Sequence, residues 1–157
     1  MAEQRMPKLR GRRHSVKLFD VNVLVYAYRP DADQHPKYRA WLEDLVNGDE
    51  VFGLSDLVLS GFMRVVTHPR VFSPPSRLDD AIEAAQQLRR QPTCAPLAPG
   101  PRHWEIFAKL CHAVGAKGNV IPDAYHAALA IEHGCEFITT DRGFARFPGL
   151  RWRHPLD

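Results

Sequence analysis

The sequence predicts an α/β fold, a three-layer sandwich with a mainly parallel central sheet flanked by helices, and three observations carry that prediction. Short β-branched or aromatic segments alternate along the chain with longer segments of helical period. The 157 residues suit one domain, with no internal repeat or long linker to divide it. Late in the chain, Ala124, Ala127 and Ala128 with Ile131 give one helix a face small enough to pack closely on a sheet.

Residues 1–16 form a basic arm ahead of a single domain at 17–157. Residues 1–17 carry six Lys or Arg and one acid, whereas the rest has 15 basic against 17 acidic residues, so the net charge of +3 conceals a nearly neutral body. Such an arm either draws in a polyanion through phosphate contacts and counterion release or is a disordered extension. Val16 to Asp20 reads as a short buried strand. The apolar continuation from Val21 to Tyr28 suits either a helix or a longer strand, and periodicity does not choose. After the turn Arg29 to Asp33, residues Tyr38, Trp41, Leu42, Leu45 and Val46 make the stripe of an amphipathic helix. Val51 to Leu54 is a second strand, and Ser55 caps a helix that stops before Pro69.

Pro74-Pro75 breaks the chain before a helix opened by Asp79 and Asp80. Cys94 to Leu97 is a candidate strand, followed by a helix carrying Trp104, Phe107, Ala108 and Cys111, with Trp104 and Trp41 read as core. A loop at 115–119 leads to a helix started by Pro122-Asp123 and stopped by Gly134. Glu136 to Thr140 is a strand ending at Asp141, and Leu150 to Arg153 a last edge strand.

Composition excludes several classes. The chain is 45% hydrophobic and 25% charged, as in a soluble globule, and no apolar run approaches the roughly 20 residues of a membrane span. Its start lacks the apolar core of a secretory signal, so a cytoplasmic protein is expected. Cys94, Cys111 and Cys135 are odd in number and widely spaced, which indicates buried thiols rather than disulfides or structural zinc.

Asp20 and Asp141 each follow the apolar part of a strand, and Asp123 lies in the first turn of a helix. In open α/β sheets the carboxyl ends of strands and the adjoining helix starts share one ligand-binding rim, so three carboxylates distant in sequence can converge. Such a cluster repels itself unless a divalent cation neutralises it. Mg²⁺ or Mn²⁺ suits hard oxygen ligands and completes its shell with waters and a phosphate. Each aspartate also has a local role open to it, Asp123 as a helix-end charge and Asp20 and Asp141 as turn formers. Asp31, Asp33, Asp79, Asp80 and Glu132 read as surface or helix-end charges.

Four blocks carry a family resemblance: Asp20-Val-Asn22-Val-Leu-Val-Tyr; Leu59-Ser-Gly-Phe-Met-Arg64-Val-Val-Thr; Pro122-Asp123-Ala-Tyr-His-Ala-Ala-Leu-Ala130; and Thr139-Thr-Asp141-Arg-Gly-Phe-Ala-Arg-Phe147. In this order and spacing they resemble PIN-domain proteins, and more narrowly the VapC toxins of bacterial toxin–antitoxin pairs. The resemblance implies a PIN-like sandwich, a Mg²⁺-dependent endoribonuclease, a cognate VapB antitoxin, a homodimer, and a structured RNA target such as tRNA. Asp20 and Asp123 match the family's metal-binding acids, with Asp141 the weaker third. Two positions depart from the pattern: Gly61 stands where a Glu usually precedes Arg64, and Gly143 replaces a second acid after Asp141. One metal is therefore expected more firmly than two. Asp56 either compensates in part or is a helix-start acid.

Supporting roles fall to Asn22, as an amide holding a ligand or water, to Thr140, orienting Asp141 through its hydroxyl, and to Arg64, clamping a phosphate or a rim acid. Lys117 and Asn119 lie in the loop before Asp123, where they could touch RNA. His126 and His133 share a helix without a third ligand, which disfavours zinc. The expected reaction is hydrolysis of an RNA phosphodiester. Its rivals are a domain that binds RNA or antitoxin without cutting, and a small-molecule phosphohydrolase, the latter disfavoured because Asp20-Val-Asn22 lacks a second acid and no Gly-rich phosphate loop is present.

Overall fold

The strands are short because capping and turn residues end each of them. A computed structural model describes residues 15–157, so the basic arm lies outside the described residues except for Ser15 and Val16. Strand β1 (Lys17–Phe19) stops at Asp20, whose backbone is extended and whose carboxylate accepts the Val21 N–H at 2.7 Å. That cap turns the ambiguous apolar stretch into helix α1 (Val21–Tyr28). Helix α2 (His35–Val46) begins three residues before its apolar stripe, with Pro36 in its first turn. Ser55 caps α3 (Asp56–Val66) after β2 (Phe52–Leu54), its Oγ accepting the Leu57 N–H. Helix α4 (Leu78–Arg89) has Asp79 and Asp80 in its first turn and precedes β3 (Cys94–Pro96).

Helices α5 (His103–Val114) and α6 (Val120–His133) then cross to the other side of the sheet, followed by β4 (Glu136–Ile138) and β5 (Trp152–Arg153). Helix α6 starts two residues before the expected Pro122, which fits because a proline in the first turn gives up no helical hydrogen bond. Gly134, at φ 67°, closes it in the left-handed region. The buried stripe of α5 runs through His103 and Leu110, with Ile106, Phe107 and Val114 partly covered. Trp104 is therefore not core as expected: it is 72% exposed, one position off the stripe. His103 can lead an apolar stripe because its Nε2 is 2.9 Å from the Tyr125 carbonyl.

The sheet order is β3-β2-β1-β4-β5, and every pairing is parallel, including the edge strand β5. The chain winds outward from β1 on one side and returns to pair β4 on the other, so the strand order reverses between β1 and β4. Alternation along the strands separates two cores. Phe19, Phe52, Leu54 and Ile138 pack with α1, α3 and α4, while Leu18 and Phe137 pack with α5 and α6. The expected surface charge Glu132 is instead a tie on this second side: its carboxylate is 7% exposed and accepts the Gly100 and Arg102 N–H groups at 2.7 and 2.9 Å.

Candidate active site

The reversal point between β1 and β4 is where an open α/β sheet leaves a crevice for ligands. Asp20 follows β1 there and Thr139 follows β4. The register pairs Leu18 with Phe137 and Phe19 with Ile138, which brings Asp20 level with Thr139. The buried Thr139 hydroxyl donates to Asp20 Oδ2 at 2.7 Å and accepts the Asp141 N–H at 3.0 Å. One hydroxyl thus joins the two strand ends. Asp20, 8% exposed, keeps Oδ1 on the Val21 N–H, and each carboxylate oxygen has a second lone pair for another ligand. Asp141 is exposed, and its Oδ1 accepts the Gly143 N–H at 2.8 Å, capping a 3-10 turn over Arg142–Arg146.

Asp123 comes from the first turn of α6 and is half-buried. Burial, then the negative charges of Asp141 and Asp20, push its carboxyl above the ordinary value of 3.8, while the Arg146 guanidinium pulls the other way. The three aspartates therefore occupy one electrostatic neighbourhood. His126, one turn further along α6, has its ring affinity for a proton lowered by burial despite the pull of Asp20, with the nearby His103 adding to the lowering.

All the clustered donors are hard carboxylate oxygens, and their mutual repulsion is what a divalent cation would relieve. Among the described residues no group of three or more His, Cys, Asp or Glu side chains forms a ready cage for a metal.

Of the other expected residues, Asn22 is exposed two positions after Asp20. The hydroxyl that meets Asp141 belongs to Thr139 rather than Thr140, because strand register sets which of the two threonines faces Asp20. Arg64 is exposed on α3 and makes no hydrogen bond or ion pair among the described residues. Lys117 and Asn119 are exposed in the loop before α6. Asp56 is a helix-start acid, paired at 3.2 Å with Arg89. Sequence reasoning missed Thr139 and Arg146. The tandem threonines were a signal for the first, but choosing between them needed the β1–β4 register.

A side chain at either of the two glycines would meet close neighbours. A Cβ on Gly61 would sit 2.8 Å from Val21 Cγ2, so a side chain there would press on the start of α1. A Cβ on Gly143 would sit 2.6 Å from Arg146 Nη2 and 2.8 Å from Asp141 Oδ1.

Comparison with known proteins agrees with the architecture. Residues 17–150 match the family model described as PIN domain. Ribonuclease VapC43 of Mycobacterium tuberculosis is 53% identical over 138 residues, 88% of this chain and 94% of that protein. Ribonuclease VapC25 of the same organism is 41% identical over 88% of this chain and 97% of its own length. Among solved structures, VapBC2 from Rickettsia felis bound to a promoter DNA fragment superposes with TM-score 0.66 and 18% identity, covering 88% of this chain and 97% of that chain. At that identity the likeness speaks for the fold.

Two outcomes follow from the geometry. Thr139→Val removes the shared hydroxyl while keeping the shape, leaving a buried carboxylate oxygen and the Asp141 N–H without this partner. It should cost about 1–3 kcal/mol in urea unfolding, and a loss below measurement error would show that the bridge is unimportant. Asp123→Asn should raise the melting temperature of the metal-free protein near neutral pH. The raised carboxyl pKa in the folded state means that ionisation penalises folding fully above that folded value, and the penalty fades as the pH falls towards and below 3.8. The advantage of the variant should shrink over the same window; an advantage independent of pH would refute the electrostatic cause.

Proposed function

The chain belongs to the PIN-domain family and within it to the VapC ribonucleases, and from that premise we propose that it is a metal-dependent endoribonuclease, the toxin of a toxin–antitoxin pair. The observation that supports metal dependence is the gathering of acids at the strand ends: Thr139 ties Asp20 to the Asp141 backbone, and the half-buried Asp123 has its carboxyl pushed up by burial first and then by the charges of Asp141 and Asp20. Asp20 and Asp123 would hold Mg²⁺ or Mn²⁺, with Asp141 a weaker third ligand. When bound, the ion supplies charge neutralisation at the phosphate and a more acidic water.

The chain's own part is positioning. Thr139 and the Val21 N–H hold the Asp20 carboxylate at 2.7 Å each, so its free lone pairs are aimed before any ligand arrives. The Gly143 N–H fixes Asp141 in the same way. Asn22 and Thr140 adjoin Asp20 and Asp141 in the chain, and the exposed Lys117, Asn119 and Arg64 offer polar contacts for RNA. Hydrolysis by water leaves a 5′-phosphate and a 3′-hydroxyl, whereas attack by the ribose 2′-hydroxyl leaves a cyclic end. A structured RNA such as tRNA is the proposed substrate.

A VapB-type antitoxin is the proposed protein partner. An apolar groove of about 270 Å³ between α1, α2, α3 and α4, lined by Leu24, Leu42, Val46, Phe62 and Leu88, suits an apolar peptide segment. A homodimer is proposed as well, and the exposed Trp104 supplies apolar surface towards one. No helix among the described residues is long and apolar enough to cross a membrane.

Gly61 and Gly143 favour a second reading, in which the domain binds RNA or antitoxin without cutting. One assay decides between them. Wild type should cut RNA in Mg²⁺ or Mn²⁺ and stop on chelation, and Asp20→Asn should be slower by on the order of 100-fold. Metal-independent product, or equal rates in the variant, would sink the metal mechanism; RNA that is bound but not cut would favour the binding module. For the partner, Val46→Glu should leave the chain growth-inhibitory yet no longer rescued by co-expressed VapB-type antitoxin, and full rescue would remove the groove from consideration.

A further inference from the structure

The two arginines that flank Gly143 are used differently. Arg142 gives its terminal nitrogens to Asp157 at 2.9 and 3.0 Å. Arg146 donates only its Nε, to the Gly143 carbonyl at 2.7 Å, and among the described residues its terminal nitrogens make no hydrogen bond or ion pair. The point where a Cβ at position 143 would lie is 2.6 Å from Arg146 Nη2 and 2.8 Å from Asp141 Oδ1. Guanidinium and carboxylate thus face each other across the room of one methyl group without closing into an ion pair. The charge of Arg146 also reaches Asp123, where it opposes the effect of burial and of the other two acids.

A guanidinium anchored through Nε keeps its outer edge free, and that edge matches two oxygens of a phosphate. Here the anchor is backbone and the neighbours are carboxylates suited to a cation, so an anion brought to the rim would find a positive partner already in place. We propose that Arg146 is a substrate ligand, its terminal nitrogens holding an oxygen of the RNA phosphate beside Asp141. Gly143 makes this possible, because a side chain at that position would fill the space between the two groups. The inference rests on the nuclease reading and adds a positive residue to a site otherwise built from acids.

The test measures binding of a fluorescent hairpin RNA of mixed sequence, with Ca²⁺ replacing Mg²⁺ to suppress cleavage, across a series of salt concentrations. Wild type, R146Q and R146K are compared as full chains, with folding checked by circular dichroism. R146Q should bind about 10-fold more weakly, and its plot of log affinity against log salt should be shallower by about one. R146K should keep the wild-type slope while losing a few-fold in affinity, since it retains the charge but not the fork. A purely charge-screening role for Arg146 would lower the metal-free melting temperature of R146Q and leave affinity and slope as in wild type, and that result overturns the proposal. Should R146Q fail to fold, R146K decides: weaker binding supports the assignment and unchanged binding overturns it. Cleavage of the same RNA by wild type in Mg²⁺ separates the two failures. Cleavage with unaltered binding by the variants removes Arg146 alone, whereas a wild type that neither binds nor cuts removes the nuclease reading with it.

Discussion

The Thr139 hydroxyl is the link on which the rest of the site depends. It donates to Asp20 and accepts from the Asp141 backbone, so two segments 119 residues apart in the chain share one buried oxygen. In a low-dielectric setting a donor that is satisfied on both sides is rigid, and one that is not is costly. The bond can form only because β1 and β4 are neighbours in parallel register. Sheet topology therefore precedes site geometry: the reversal of strand order between β1 and β4 creates the crevice, and the register decides which side chains line it.

The third acid arrives by packing. Ala124, Ala127 and Ala128 are fully buried, so α6 lies close against the face that also holds Leu18 and Phe137. Asp123, in the first turn of this helix, is thereby carried into the field of Asp20 and Asp141. Bulkier residues along the α6 face would hold the helix further from the sheet and weaken that coupling. Glu132, at the other end of α6, secures the entry to α5 by accepting two backbone N–H groups, so one helix contributes to both the site and its frame.

The thinning of the acidic set has an electrostatic consequence. Gly61 lets α3 approach the start of α1, where Val21 occupies the space that a side chain would need. Gly143 leaves room over which Arg146 faces Asp141. Both positions lie close to residues that adjoin or form the acidic rim. The rim thus carries fewer negative charges than the family pattern suggests and gains a positive one, which lowers the self-repulsion that a cation must offset.

The sequence by itself determined the alternation of strands and helices, the cap at Ser55, the stop at Gly134 and the three aspartates at element boundaries, because these depend on local hydrogen bonding and periodicity. Local information could not say whether residues 21–28 were strand or helix, since a continuous apolar run suits both; the Asp20 cap decided it. Nor could it place Trp104 outside the core, which required knowing which face of α5 meets α6, or show that Glu132 turns inward to the 100–102 backbone. The choice of Thr139 over Thr140 belongs to tertiary structure alone, whereas the approach of Arg146 to Asp141 is made within the single turn that Asp141 caps. Register, helix approach and the space at Gly61 are relations between distant segments, and no single segment encodes them.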